Sequence, residues 1–181
     1  MDEETTAIDI KSLTIHQNVI LGLSFLIPFL ISGPQLLTGS LVNFLLILGT
    51  RYVDKKNHLA MSVLPSIAAV LNGLVLGKFT IFLVYFLPFI WLGNFALIKS
   101  IMYFRKRSSL PLSLVFSVIL KTIILYLVAL IFFKFKFVPE IFLTAMGVFQ
   151  LITGIMGGIL FLGMNKLLNI KPLELKKTSK H

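Results

Sequence analysis

Residues 105–134 read RKRSSLPLSLVFSVILKTIILYLVALIFFK. A basic triplet, Arg105-Lys106-Arg107, opens the stretch, and Lys134 closes it. Between them the side chains are apolar or small, with Lys121 as the one charge. A membrane-crossing helix needs roughly 20 such residues, at about 1.5 Å rise each. The run 111–133 meets that length and is too long for a globular core, so the chain reads as an all-α membrane protein.

The same pattern recurs on both sides. Residues 15–50 are apolar but too long for one crossing, and Gly33-Pro34 divides them. Proline ends a helix and glycine permits the turn. This predicts helix 1 near 15–32 and helix 2 near 35–50. Residues 59–104 divide around Gly77-Lys78, predicting helix 3 near 59–76 and helix 4 near 80–104. Helix 5 covers 111–133. Pro139 and Glu140 mark a turn before helix 6, near 141–168. The expected organisation is a cytoplasmic segment 1–14, a six-helix transmembrane domain 15–168 and a basic cytoplasmic tail 169–181.

Charge sets the orientation. Of seventeen basic residues, Lys78, Lys134 and Lys136 fall on one side and Lys121 falls inside a span. The other thirteen lie with the termini, in the connections near Arg51-Lys56 and Arg105-Arg107, or at the helix ends facing them. Cytoplasmic connections concentrate Lys and Arg, so both termini are expected inside a cell membrane crossed several times.

Composition narrows the class further. Hydrophobic residues make up 57% of the 181 residues and charged residues 13%, against roughly 45–50% and 25% in soluble domains. The net charge of +10 suits anionic headgroups better than nucleic acid, because the cations border apolar runs and form no single face. Cysteine is absent, which excludes disulfides and thiolate sites. The first eleven residues carry Asp2, Glu3, Glu4 and Asp9. They lack the basic start of a cleavable signal, so the first apolar run is expected to be retained.

Several chemistries lack their residues. None of the seven acids lies in a predicted span, whereas proton- and sodium-coupled carriers commonly use one there. Gly73-Leu-Val-Leu-Gly77-Lys78-Phe79 is one residue short of a phosphate loop and has Phe where Ser or Thr would hold magnesium. No G-x-S-x-G or H-E-x-x-H is present. His16, His58 and His181 share no helix face, so no metal site is expected. The chain is therefore not expected to be an enzyme or to carry a cofactor.

The polar residues inside the spans are then the informative ones. Asn43, Asn72, Asn94 and Gln150 place one amide on each of four helices. Such groups need partners in hydrocarbon. They serve either as interhelical bonds, each worth about 0.6 kcal/mol, or as the wall of a polar pocket. Lys121 either snorkels or faces a wet cavity and pairs with a ligand anion. Lys78, Lys134 and Lys136 are interfacial anchors or an outer funnel for anions. Gly147, Gly154 and Gly158 share a face of helix 6, and Gly154-x-x-x-Gly158 predicts a close helix contact within this chain or with another.

Three segments carry a resemblance: Thr38-Gly-Ser-Leu-Val-Asn43, Leu64-Pro-Ser-Ile-Ala-Ala-Val-Leu-Asn-Gly73 and Pro88-Phe-Ile-Trp-Leu-Gly-Asn94. With the length, six spans and orientation, the chain resembles the substrate-binding S components of energy-coupling factor (ECF) transporters. The resemblance is close over helices 2–4 and architectural elsewhere. It implies capture of a vitamin or similar micronutrient at the outer face. It also implies docking on a membrane-embedded scaffold subunit with two ATPases, which would supply the energy this chain has no means to harness. Many S components dock through Ala-x-x-x-Ala on helix 1. Here helix 1 reads Gly22-Leu-Ser24-Phe-Leu-Ile-Pro28, so either Gly22 and Ser24 replace that pair or docking differs.

The expected ligand site lies in the outer half, among Gln35, Thr38, Asn43, Asn72, Lys78, Asn94 and Gln150, with Lys121 below. The outer lysines favour an anionic solute. The alternative is a membrane accessory protein that transports nothing, with its amides bonded to one another in a filled interior.

Overall fold

The computed structural model describes residues 3–31 and 34–167, with side chains from residue 16 onward. It is all-α, and no strand occurs among the described residues. The helices are α1 (Glu3–Leu30), α2 (Gln35–Tyr52), α3 (His58–Asn72), α4 (Leu83–Phe104), α5 (Leu110–Lys134), α6 (Ile141–Met146) and α7 (Val148–Leu167). Short 3₁₀ turns at Lys55–Asn57 and Gly77–Phe82 lead into α3 and α4.

Three boundaries differ from the sequence expectation. The first helix starts at Glu3 rather than near residue 15, because neither glycine nor proline interrupts the chain before Gly22. The third helix stops at Asn72 rather than near 76. Gly73 takes the left-handed conformation there (φ 79°), and its N–H bonds to Ala69 O at 3.2 Å, as a glycine cap does. The sixth predicted helix is broken at Gly147 into α6 and α7. A Cβ at Gly147 would sit 2.6 Å from Leu143 O and 2.9 Å from Tyr126 Cδ2, so only glycine fits this break. The predicted tail 169–181 lies outside the described residues.

The stretches Gly77–Phe104, Leu110–Lys134 and Ile141–Leu167 are each long and apolar enough to cross a membrane. Helix α3, with 15 residues, reaches only about 22 Å at 1.5 Å per residue. The outward side of α5 exposes Leu112, Val115, Phe116, Ile119, Leu120, Ile123 and Leu127, while its inward side buries Ser113, Ser117 and Lys121. An apolar exterior around a more polar interior suits hydrocarbon rather than water as the surrounding medium. The described chain is thus a membrane-type helix bundle.

Helix α2 packs most extensively on α7, α4 on α5, and α1 on α3. The buried apolar side chains form two clusters. One gathers Leu46, Ile47, Met61, Leu97, Ile98, Val118 and Phe161 toward the end bearing Arg51 and Arg105. The other gathers Leu83, Phe86, Leu125, Ala129, Phe142 and Met146 toward the opposite end. Along α5, Lys121 lies between Val118 of the first cluster and Leu125 of the second. Along α4, Asn94 lies between Phe86 and Leu97. The polar residues therefore occupy the seam between two dry cores.

Candidate functional site

A cavity of about 100 Å³ opens at that seam. It lies in the half of the bundle bounded by the α1–α2, α3–α4 and α5–α6 connections. Its wall takes Gln35, Thr38 and Asn43 from α2, Ser66 from α3, Asn94 from α4, Lys121 from α5 and Gln150 from α7. Val75 and Leu76, in the segment left free by the early end of α3, close one side.

Lys121 forms the floor. It is 4% exposed, and its Nζ donates to Asn43 Oδ1 at 2.7 Å. The side chain does not snorkel to an interface. Asn43 passes the connection on, its Nδ2 donating to Thr153 Oγ1 at 3.1 Å and to Gly39 O at 3.0 Å. Thr153 in turn donates to Gln150 O at 3.2 Å. This chain of bonds joins α5, α2 and α7. It exists because α2 and α7 approach closely. A Cβ at Gly39 would lie 2.9 Å from Thr153 Cγ2, and one at Gly157 would lie 2.7 Å from Phe44 N.

The walls are fixed by side chains bonded to backbone carbonyls. Asn94 Nδ2 donates to Ser62 O at 2.9 Å, and Gln35 Nε2 donates to Ala145 O beside the α6–α7 break at 3.1 Å. Thr38 Oγ1 donates to Ile31 O at 2.5 Å, satisfying a carbonyl just past the end of α1. Trp91 Nε1 donates to Ser66 Oγ at 2.7 Å, which ties α4 to α3 behind the wall.

Six of the predicted residues, Gln35, Thr38, Asn43, Asn94, Lys121 and Gln150, thus meet around one cavity. Asn72 and Lys78 do not line it. With α3 ended at Asn72, that amide serves the backbone: Nδ2 donates to Phe29 O at 2.6 Å, and Oδ1 accepts from Leu74 N at 3.2 Å. Lys78 is exposed on the following 3₁₀ turn, with Nζ 5.2 Å from the Phe79 ring centroid. Lys134 and Lys136 are likewise exposed.

The packing residues also divide. Gly154 and Gly158 lie against Val118 and Leu114 of α5, so their contact is internal. Gly22 is exposed, with nothing near its Cβ position. Ser24 is fully buried and donates to Ile20 O at 2.8 Å. It therefore cannot present itself to a docking partner, because its hydroxyl turns into the bundle. Sequence reasoning passed over Thr153, Gly39 and Gly157. A threonine in a membrane helix carries no distinctive signal, but the Gly157-Gly158 doublet does mark a second small face.

Among the described residues, no group of three His, Asp or Glu side chains is placed to hold a metal. The cavity can offer hydrogen bonds and one amine, Lys121, the chemistry of binding a small polar solute. No protein-family model, curated protein or solved structure matches the chain.

Proposed function

We propose that the chain is the solute-capture subunit of an ATP-driven importer of a vitamin or similar micronutrient, an S component in the ECF sense. In this reading it crosses the cell membrane six times with both termini inside. It binds solute in the outer half of the bundle and docks on a scaffold subunit with ATPases in trans. It catalyses nothing itself.

The observation that carries this reading is the convergence of six polar residues from α2, α4, α5 and α7 on one cavity floored by Lys121. The charge pattern supports an outward-facing cavity, since the basic connections lie at the other end. The absence of a buried acid among the described residues agrees with an external energy source. An accessory protein would be expected to fill its interior and bond its amides to one another. Asn43, Asn72 and Asn94 bond instead to a lysine, a threonine and backbone groups.

The cavity volume is below the roughly 300 Å³ at which ligand sites commonly begin. A vitamin-sized solute therefore requires the cavity to widen on binding. Purification of the tagged chain from its own membranes tests the assignment. The expected result is co-purification of a pair of ATPases and a second integral membrane subunit. Isolation of the chain alone, with transport of no solute in its presence, would remove the importer reading.

A further inference from the structure

The hydrogen-bonding groups of the cavity are unbalanced, and the imbalance describes a ligand. Asn94 is 2% exposed. Its Nδ2 faces Ser62 O, which fixes the amide orientation, because the flipped amide would set two oxygens against each other. Oδ1 is left buried with no donor among the described residues. Gln35 repeats the arrangement: Nε2 is held by Ala145 O, and Oε1 is buried without a donor.

Lys121 presents the opposite need. An ammonium has three donors, and Asn43 Oδ1 takes one of them. Asp54 and Glu140, the acids whose side chains are described, are both exposed and do not neutralise it. A buried charge without a counter-charge is costly, as is each buried carbonyl oxygen without a donor. Water can serve these groups, but it supplies no counter-charge for the protonated amine, which burial disfavours.

We infer, resting on the solute-capture reading, that the site takes a small monoanion. One end carries a carboxylate or a similar oxyanion for Lys121. The rest carries neutral N–H or O–H donors for Asn94 Oδ1 and Gln35 Oε1. Hydroxy acids and amido or ureido acids have this pattern. A zwitterion or a polyol supplies no net counter-charge for the protonated lysine, and a plain fatty acid leaves both carbonyl oxygens unmet.

Trp91, the lone tryptophan, is bonded to the cavity-lining Ser66, so its emission reports on the cavity. The wild-type protein in nanodiscs is titrated with 3-hydroxypropionate, propionate and 1,3-propanediol at constant ionic strength, with thermal melts in parallel. The expected result is a response to 3-hydroxypropionate at a concentration about tenfold or more below that for either analogue. Lys121→Met should abolish its advantage over the diol, and Asn94→Leu its advantage over propionate. If a variant does not fold, the wild-type ranking alone decides. Propionate binding equally well would overturn the donor half, and the diol binding equally well would overturn the anion half; solute capture would survive either result. No response to any of the three, by emission or by melting, would overturn the inference, whereas the capture reading stands or falls with the co-purification test.

Discussion

Lys121 and Asn43 form the pair on which the interior depends. Removing the asparagine strands an ammonium in the bundle, whereas removing both partners leaves ordinary packing. Asn43→Leu is expected to cost about 1–3 kcal/mol. Thr153→Val, which removes only a neutral bond, should cost about 0.6 kcal/mol. The double variant Asn43→Leu with Lys121→Met should be less destabilised than Asn43→Leu alone, because no charge is then left without a partner. Reversible unfolding in mixed micelles measures all of these, and simple additivity would show that the pair does not interact. The pair was legible as two separate polar residues, since hydrocarbon forces such groups together. Its geometry was not, because which of the four amides met the lysine depends on helix rotation. Asn72 illustrates the limit. It looks like another buried amide in sequence, yet Gly73 ends the helix beside it and turns the side chain to backbone work. The Asn72-Gly73 dipeptide was itself the stop signal.

At the scale of elements, the closeness of α2 and α7 sets the shape of the floor. Gly157 faces Phe44 N and Asn43 Cβ, whose positions are fixed by backbone, while Gly163 on the same helix meets nothing within 4 Å. Gly157→Ala is therefore expected to cost about 1–3 kcal/mol through overpacking. Gly163→Ala should be neutral or stabilising by about 0.5–1 kcal/mol through helix propensity. The same unfolding assay compares them, and equal effects would mean that the helices can separate without loss. Gly73→Ala should cost about 1–2 kcal/mol, because the left-handed conformation penalises a Cβ. The first five helices and their order were readable from apolar run length and the Gly-Pro break. The division of the last helix was not. A single glycine inside an apolar run is usually tolerated, and only the contact with Leu143 O and Tyr126 makes Gly147 a break.

For the whole molecule, the end bearing Arg51, Lys55, Lys56 and Arg105–Arg107 is the proposed inner face, and the end bearing Lys78, Lys134 and Lys136 the outer one. The chain has no cysteine, so single replacements report orientation directly. Lys136→Cys should react with a membrane-impermeant maleimide on intact cells, and Lys106→Cys only after the membrane is opened. The reverse pattern would invert the topology and place the cavity mouth on the wrong side for uptake. Charge sorting along the sequence is what supports this proposed orientation; the lining of the cavity by Val75 and Leu76 was not legible, because it follows from α3 ending at Asn72. The central claim is that this cavity captures a solute. Native mass spectrometry of the protein, released from micelles after purification from its own membranes, tests it most directly. The account predicts a non-covalent small-molecule adduct on the wild-type chain that is lost in Lys121→Met. A wild-type chain that carries no adduct, or an adduct that persists unchanged in Lys121→Met, would contradict it.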